Sequence, residues 1–205
     1  MIAVIDYGAG NLQSVCNALK FLGCPHAVTA SPEEIQSADG VILPGVGAFG
    51  AAMDEIGRRG LTGTIRAAAL SGKPFLGICL GMQLLFEKSE ESPGVAGLGV
   101  LPGEVLLFPS KGLKIPHMGW NSLKVKPGTR LFCTLPPEPY LYFVHSYYVK
   151  AADPSCVAAA CDYGISFHAA VEQQNLFGCQ FHPEKSAEAG RAILLRFVEL
   201  TGGLR

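Results

Sequence analysis

The sequence predicts an α/β fold: an open, mainly parallel sheet with helices on both faces, plus an antiparallel β extension. Two observations carry that expectation. Short, fully apolar strands alternate with helical-period segments through the first half, which is the pattern of a parallel sheet covered on both faces. The second half is glycine-rich, with β-branched, leucine and aromatic runs and hairpin signals, before a last amphipathic helix. With 205 residues and 49% hydrophobic side chains, the chain can bury the core of one domain spanning 1–205.

The elements follow in order. Ile2–Ile5 is a short buried strand, and after the loop Asp6-Tyr7-Gly8-Ala9-Gly10-Asn11 the apolar residues Leu12, Val15, Leu19 and Leu22 recur at helical spacing until Gly23. Ala27–Ala30 reads as the second strand. Ser31-Pro32-Glu33-Glu34 then supplies an N-cap, a proline at the first helical position and acids in the first turn. Val41-Ile42-Leu43 is the third strand and runs into Pro44-Gly45-Val46-Gly47-Ala48-Phe49-Gly50. A helical stretch near Ile65–Leu70 leads to the strand Phe75–Ile78, and a further helix is expected from about Met82. Gly94–Phe108, Leu123-Lys124-Val125 and Tyr140–Val149 read as extended. Phe167–Glu172 and Leu176–Phe181 read as a hairpin turning at Gln173-Gln174-Asn175. The last helix starts near Ser186, buries Ala189, Ile193, Phe197 and Leu200, and stops at Gly202-Gly203.

Composition narrows the function. The net charge is −1 with no basic run, so neither nucleic acid nor an anionic membrane surface is indicated. No apolar stretch approaches the roughly 20 residues of a membrane helix. The opening Met1-Ile2-Ala3-Val4-Ile5-Asp6 reads as a first strand and not as a signal peptide. Seven cysteines (Cys16, Cys24, Cys79, Cys133, Cys156, Cys161, Cys179) form no C-x-x-C pair, which fits the reducing cytoplasm. Nothing completes a zinc site around Cys156 and Cys161, and no metal or cofactor is expected. Gly8-Ala9-Gly10 lacks the third glycine of a dinucleotide-binding turn, since position 13 is Gln13.

The chemistry concentrates in two segments. Phe75-Leu76-Gly77-Ile78-Cys79-Leu80-Gly81-Met82-Gln83 sets a cysteine between glycines at a strand-to-helix corner, the sulfur version of a nucleophile elbow. The glycines permit a sharp turn, and a following helix would aim its N–H groups at the sulfur and favour thiolate. Gln180-Phe181-His182-Pro183-Glu184-Lys185-Ser186 supplies the partner groups. His182 can move a proton, and Glu184 returns to the same face of an extended segment and can fix the imidazole tautomer. Pro44-Gly45-Val46-Gly47 also follows a strand end, and so lies at the same C-terminal edge of the sheet as Cys79. An N–H there, with that of Leu80, can form an oxyanion hole. Glycine in this loop permits more than one peptide orientation, so the hole need not be formed at rest. His145 lacks a supporting carboxylate and is a weaker proton carrier than His182, while His26, His117 and His168 read as surface or structural.

The Gly77–Gln83 elbow with His182-Pro183-Glu184 resembles the class I (triad) glutamine amidotransferases and implies their fold. Several further segments narrow the likeness to the glutaminase subunits of imidazole glycerol phosphate synthase. These are Asp6-Tyr7-Gly8-Ala9-Gly10-Asn11, Pro44-Gly45-Val46-Gly47-Ala48-Phe49, Pro116-His117-Met118-Gly119-Trp120-Asn121 and Phe143-Val144-His145-Ser146-Tyr147. The resemblance implies that Cys79 attacks the carboxamide of glutamine while His182 and Glu184 manage the protons. It implies that Val46, Gly47 and Leu80 hold the oxyanion, and that Gly47, Gln83, His145, Ser146 and Tyr147 hold the substrate. It also implies a heterodimer with a (β/α)8-barrel cyclase that receives the ammonia, with Asn11, Met118, Trp120, Asn121, Tyr142 and Lys185 near that partner or the ammonia path. Three alternatives stand beside this reading. The Gly-Trp-Asn and His-Ser-Tyr segments argue against the glutaminase of another pathway, such as anthranilate or pyridoxal phosphate synthesis. Intact His182 and Glu184 argue against a non-catalytic interaction module. A thiol hydrolase or redox sensor is separated by whether glutamine protects Cys79 from alkylation.

Overall fold

The computed structural model describes residues 1–8, 10–109 and 112–202. Residues 9, 110, 111 and 203–205 lie outside them, including the centre of the Gly8-Ala9-Gly10 turn and the second glycine expected after the last helix. The first half runs β1 (Ile2–Ile5), α1 (Leu12–Phe21), β2 (His26–Thr29), α2 (Pro32–Ser37), β3 (Gly40–Leu43), α3 (Phe49–Arg58), α4 (Thr62–Leu70), β4 (Phe75–Ile78) and α5 (Leu80–Gln83). The second half runs β5 (Lys88–Ser89), β6 (Gly103–Leu107), β7 (His117–Ser122), β8 (Lys124–Val125), β9 (Tyr140–His145), β10 (Tyr147–Ala151), β11 (Val157–Asp162), β12 (Ser166–Gln173), β13 (Leu176–Cys179) and α6 (Ala187–Leu200). No helix among the described residues is long and apolar enough to cross a membrane.

The main sheet has the order β2-β1-β3-β4-β13-β12-β10-β6-β5, with β11 branching from β12 and pairing with β8. From β2 through β13 every pairing is parallel, and β12 and β10 continue antiparallel. Alternate residues of the central strands feed two cores. Ala3, Ile5, Val41, Leu43 and Phe75 pack on one face, and Ile2, Val4, Ile42, Leu76 and Ile78 on the other. That is why these strands are apolar throughout, each large buried side chain contributing about 1.5–3 kcal/mol.

Local signals account for several boundaries. At α2 the Ser31 hydroxyl accepts from the Glu34 N–H at 3.3 Å with Pro32 in the first turn. The hairpin of β12 and β13 turns on Gln174 and Asn175, with Gln173 paired to Leu176, and its second strand ends at Cys179 instead of Phe181. The extended run Tyr140–Val149 is two strands in two sheets. β9 pairs with β7 in a separate two-stranded sheet, and β10 joins the main sheet. The break falls at Ser146, beside which the His145 Nδ1–H donates to the Tyr147 carbonyl at 2.8 Å. The helix expected from about Met82 starts at Leu80 and lasts a single turn, Leu80–Gln83, so the helix end expected at the sulfur belongs to one turn only.

Parallel pairing positions the chemistry. Ile78 of β4 lies opposite Cys179 of β13, and the Cys79 N–H donates to the Cys179 carbonyl at 2.7 Å. On the other side of β4, Gly77 lies opposite Leu43 of β3. The chain beyond β3, β4 and β13 therefore leaves the sheet at one edge. The elbow glycines serve this packing and not the turn itself, because the left-handed conformation belongs to Cys79, at φ 54 and ψ −110. A Cβ on Gly77 would stand 2.8 Å from the Gly81 carbonyl oxygen, and one on Gly81 would overlap the Leu43 carbonyl. Gly81→Ala should therefore cost about 3 kcal/mol, the upper end of overpacking penalties, because backbone and not a flexible side chain blocks the methyl. Urea unfolding measures this, and a loss below about 1 kcal/mol would contradict the packing role.

Candidate active site

A cavity of about 360 Å³ opens at that sheet edge, bordered by Val46, Gly47, Cys79, Leu80, Gln83, Glu91, Pro116, Val144, His145, Ser146, Tyr147 and His182. The Cys79 side chain is held there by a backbone conformation that L-residues rarely adopt, a strain of about 1–3 kcal/mol. Gly47 stands across the cavity at φ 102, and no atom lies within 4 Å of where its Cβ would be. Its peptide has room to take more than one orientation. Leu80 heads the single turn of α5, and the residues expected to supply N–H groups to an oxyanion line the same cavity as Cys79.

His182 follows β13. Its N–H donates to the Tyr142 carbonyl at 2.9 Å, and the Ser186 hydroxyl joins its carbonyl to the Tyr142 N–H, at 2.6 and 3.0 Å. The imidazole Nδ1–H donates to Glu184 Oε1 at 2.8 Å, and both side chains are only 1% exposed. A carboxylate on Nδ1 directs Nε2 away from it. Nε2 is buried without a hydrogen-bond partner among the described residues, in a ring that shares the cavity with Cys79. Burial pulls the His182 pKa down, but Cys79 and Glu184 outweigh it and push it up to about 9. The Asn11 amide donates to the same Glu184 oxygen at 3.2 Å, so a residue expected at the partner face is engaged with the carboxylate. The Tyr7 hydroxyl is also buried without a partner, and burial together with the Cys79 charge pushes its pKa up.

Two further histidines form a directed chain. Because His145 Nδ1–H must donate to the Tyr147 carbonyl, His145 Nε2 is an acceptor, and it receives His117 Nδ1–H at 3.0 Å. His117 Nε2 in turn accepts from the Asn121 amide at 3.3 Å. Burial keeps both rings neutral, lowering the pKa of His117 to about 4 and, with repulsion from the His117 and His182 imidazoles when these are protonated, that of His145 to about 3. His117 and Asn121 occupy one face of β7. Met118 and Trp120 occupy the other, at 62% and 52% exposure. Trp120 lies edge-on to Tyr142 at 6.2 Å, and Lys185 sits 6.0 Å over the Tyr142 ring. Trp120 is therefore not a core residue.

The structure gathers Cys79, His182, Val46, Gly47, Leu80, Gln83, His145, Ser146 and Tyr147 around the cavity, with Glu184 behind His182. The expected partner residues Met118, Trp120, Asn121, Tyr142 and Lys185 lie on or beside the β7–β9 sheet. Sequence reasoning missed Glu91, a residue lining the cavity whose Oε2 accepts from the Phe49 N–H at 2.7 Å. His117, read as surface or structural, takes the structural part, buried beside His145. Pro116 and Val144, from the Pro116–Asn121 and Phe143–Tyr147 segments, complete the apolar wall.

The family model Glutamine amidotransferase class-I matches residues 3–200. The imidazole glycerol phosphate synthase subunit HisH of Methanothermobacter thermautotrophicus is 50% identical over 200 residues, covering 98% of each chain. The HisH subunit of Synechococcus elongatus is 52% identical over 200 residues, covering 96% of this chain and 92% of its own. A crystal structure of a glutamine amidotransferase aligns with a TM-score of 0.77 at 20% identity, over 98% of this chain and 100% of the other. The structure of PurLQS from Thermotoga maritima aligns with a TM-score of 0.74 at 22% identity, over 97% of both. At those identities the structural likenesses establish the fold alone.

The neutral histidine pair sets a pH dependence. Unfolded, both rings protonate near 6.5; folded, they protonate only near 4 and 3. Stability is full above about 6.5 and falls as pH drops below it, by up to about 1.4 kcal/mol per pH unit for each ring. His182 has the opposite sign, its contribution being full below 6.5 and lost as pH rises through about 9. It does not mask the effect at lower pH. Urea midpoints should therefore fall steadily between pH 6 and 5, and a flat profile there would refute the neutral pair.

Proposed function

The chain belongs to the class-I glutamine amidotransferases and, within them, to the HisH subunits of imidazole glycerol phosphate synthase, and we propose that Cys79, His182 and Glu184 carry out its glutaminase reaction. The supporting observation is the shared cavity. The sulfur sits on a strained elbow, and the imidazole beside it has Nδ1 fixed by Glu184 at 2.8 Å and Nε2 without a partner. The two cores share one sheet, which supports reading residues 1–205 as a single domain. All seven cysteines are free, which supports a cytoplasmic setting.

The Cys79 thiolate attacks the side-chain amide carbon of glutamine. A C–S bond forms, and the carbonyl electron pair moves onto oxygen, where the N–H groups of Leu80 and the Val46–Gly47 loop receive it. His182, as the imidazolium, gives its Nε2 proton to the departing nitrogen. The C–N bond breaks, ammonia leaves and a glutamyl thioester remains. Neutral His182 then takes a proton from water as the water oxygen bonds to the thioester carbon. The C–S bond breaks, releasing glutamate and restoring the thiolate–imidazolium pair. Glu184 keeps the proton-bearing Nδ1 turned inward throughout and stabilises the cation.

Gln83 and Glu91 suit the other end of the substrate. Both Gln83 N–H groups are occupied, by the Tyr147 carbonyl and Gln180 Oε1 at 3.0 Å each, so its oxygen is the polar atom left for a donor. With the Glu91 carboxylate it complements the α-ammonium of an amino acid. Ser146 and Tyr147 border the same space. The ammonia passes to a (β/α)8-barrel cyclase partner, which makes imidazole glycerol phosphate and an aminoimidazole carboxamide ribotide in histidine biosynthesis. The exposed Met118–Trp120 face of β7, beside Tyr142 and Lys185, is the proposed contact, and the open space at Gly47 lets partner binding favour the productive peptide orientation.

Cys79→Ala should lower glutamine hydrolysis by at least about a thousandfold with the partner present, while ammonia-dependent synthesis by the complex survives. Hydrolysis near the wild-type rate would reject the nucleophile. Trp120→Ala should weaken association or ammonia transfer by about 2 kcal/mol or more and move the melting temperature little. Intact coupling with a large loss of stability would return Trp120 to a structural role.

A further inference from the structure

We propose that Gln180 is a positioning residue for the sulfur: its side-chain N–H is held against Cys79 Sγ by a hydrogen-bond chain whose direction the Tyr147 carbonyl imposes. Gln180 is fully buried, and its backbone N–H is anchored on the Ala169 carbonyl at 2.9 Å. It does not border the cavity, so it acts on the reaction through its neighbours. Its amide lies between two groups already assigned roles, 3.0 Å from Gln83 Nε2 and 3.6 Å from Cys79 Sγ.

The orientation of both amides follows from chemistry. A backbone carbonyl can only accept, so Gln83 must turn its NH2 and not its oxygen toward Tyr147. The second N–H of that NH2 group then requires an oxygen, which Gln180 supplies. Gln180 is left with its own NH2 facing the sulfur. The same Tyr147 carbonyl also accepts from His145 Nδ1, so one acceptor sets the direction of the histidine chain and of the glutamine chain. An N–H aimed at sulfur stabilises negative charge there and limits the side chain to one rotamer. It also supplies, from a buried amide, support that the single-turn α5 cannot give as a long helix would.

This inference rests on Cys79 being the nucleophile, and the test separates the two ideas. Wild-type protein, Gln180→Met and Gln83→Met, each in complex with the cyclase partner, would be treated with iodoacetamide and with a glutamine-shaped chloromethyl ketone, scoring alkylation of Cys79 by mass spectrometry. Gln180→Met should slow both reagents by at least about tenfold, since it removes the donor to sulfur. Gln83→Met removes the donor that orients Gln180, so it should slow iodoacetamide too, and should slow the glutamine-shaped reagent further than Gln180→Met does. Wild-type protein refractory to the chloromethyl ketone would overturn the nucleophile reading and this inference with it. A labelled wild type alongside a folded Gln180→Met that reacts with iodoacetamide at the wild-type rate would overturn this inference alone. A measurement that needs no substitution at 180 stands beside these. In the wild-type protein the side-chain amide resonance of Gln180 should shift when Cys79 is alkylated with iodoacetamide, and an unmoved resonance counts against the contact.

Discussion

The site depends on one pairing, that of β4 with β13. These strands are far apart in sequence and run parallel, so the residues that follow each leave the sheet at the same end. Cys79 follows β4 and His182 follows β13. The bond from the Cys79 N–H to the Cys179 carbonyl, 2.7 Å long, ties the elbow directly to the segment that carries the histidine. An antiparallel arrangement would send the two groups to opposite ends of the sheet. β3 on the other flank adds the glycine loop, so a nucleophile, a proton carrier and backbone donors arise from three neighbouring strand ends. Ligands of open α/β sheets gather along that edge for the same geometric reason.

Polar direction is the second organising constraint. Buried hydrogen-bonding side chains can often be drawn either way round, but those near this cavity cannot. The Tyr147 carbonyl accepts from His145 and from Gln83, and from that point the donors and acceptors are set outward to Asn121 and inward to Cys79. The carbonyl lies where the chain passes, after Ser146, from the two-stranded sheet to the main sheet. β7 thus has two distinct faces. Its inner face carries the polar chain, and its outer face leaves Met118 and Trp120 in solvent.

Much of this was legible in the sequence, and the gaps have physical causes. Cys79, His182 and Glu184 stand in short motifs whose local geometry suffices to place them, and the apolar strands β1, β3 and β4 announce a sheet buried on both faces. Helix α3 was missed because its start has no local cap. Ala48 offers no side chain, and the N–H groups of Phe49 and Gly50 are satisfied by Glu91 and Ser92, each 42 residues further along the chain. β7 was read only as a motif, because its buried face is His117 and Asn121 and so lacks the apolar alternation of a strand. The glycines of the elbow suggested a sharp turn, yet Cys79 bears the unusual φ and the glycines make room for β3 and α5. The contact of Asn11 with Glu184 spans 173 residues and leaves no local trace.

The conformation of Cys79 also bears on how such a chain changes over generations. A non-glycine residue at φ 54 carries a standing strain that glycine would not feel. In a lineage released from the need for a thiol, drift toward glycine at this position would be favoured by folding alone. Retention of cysteine there runs against that stability gradient, so the side chain at position 79 serves as an internal record of selection for chemistry in any descendant of this sequence.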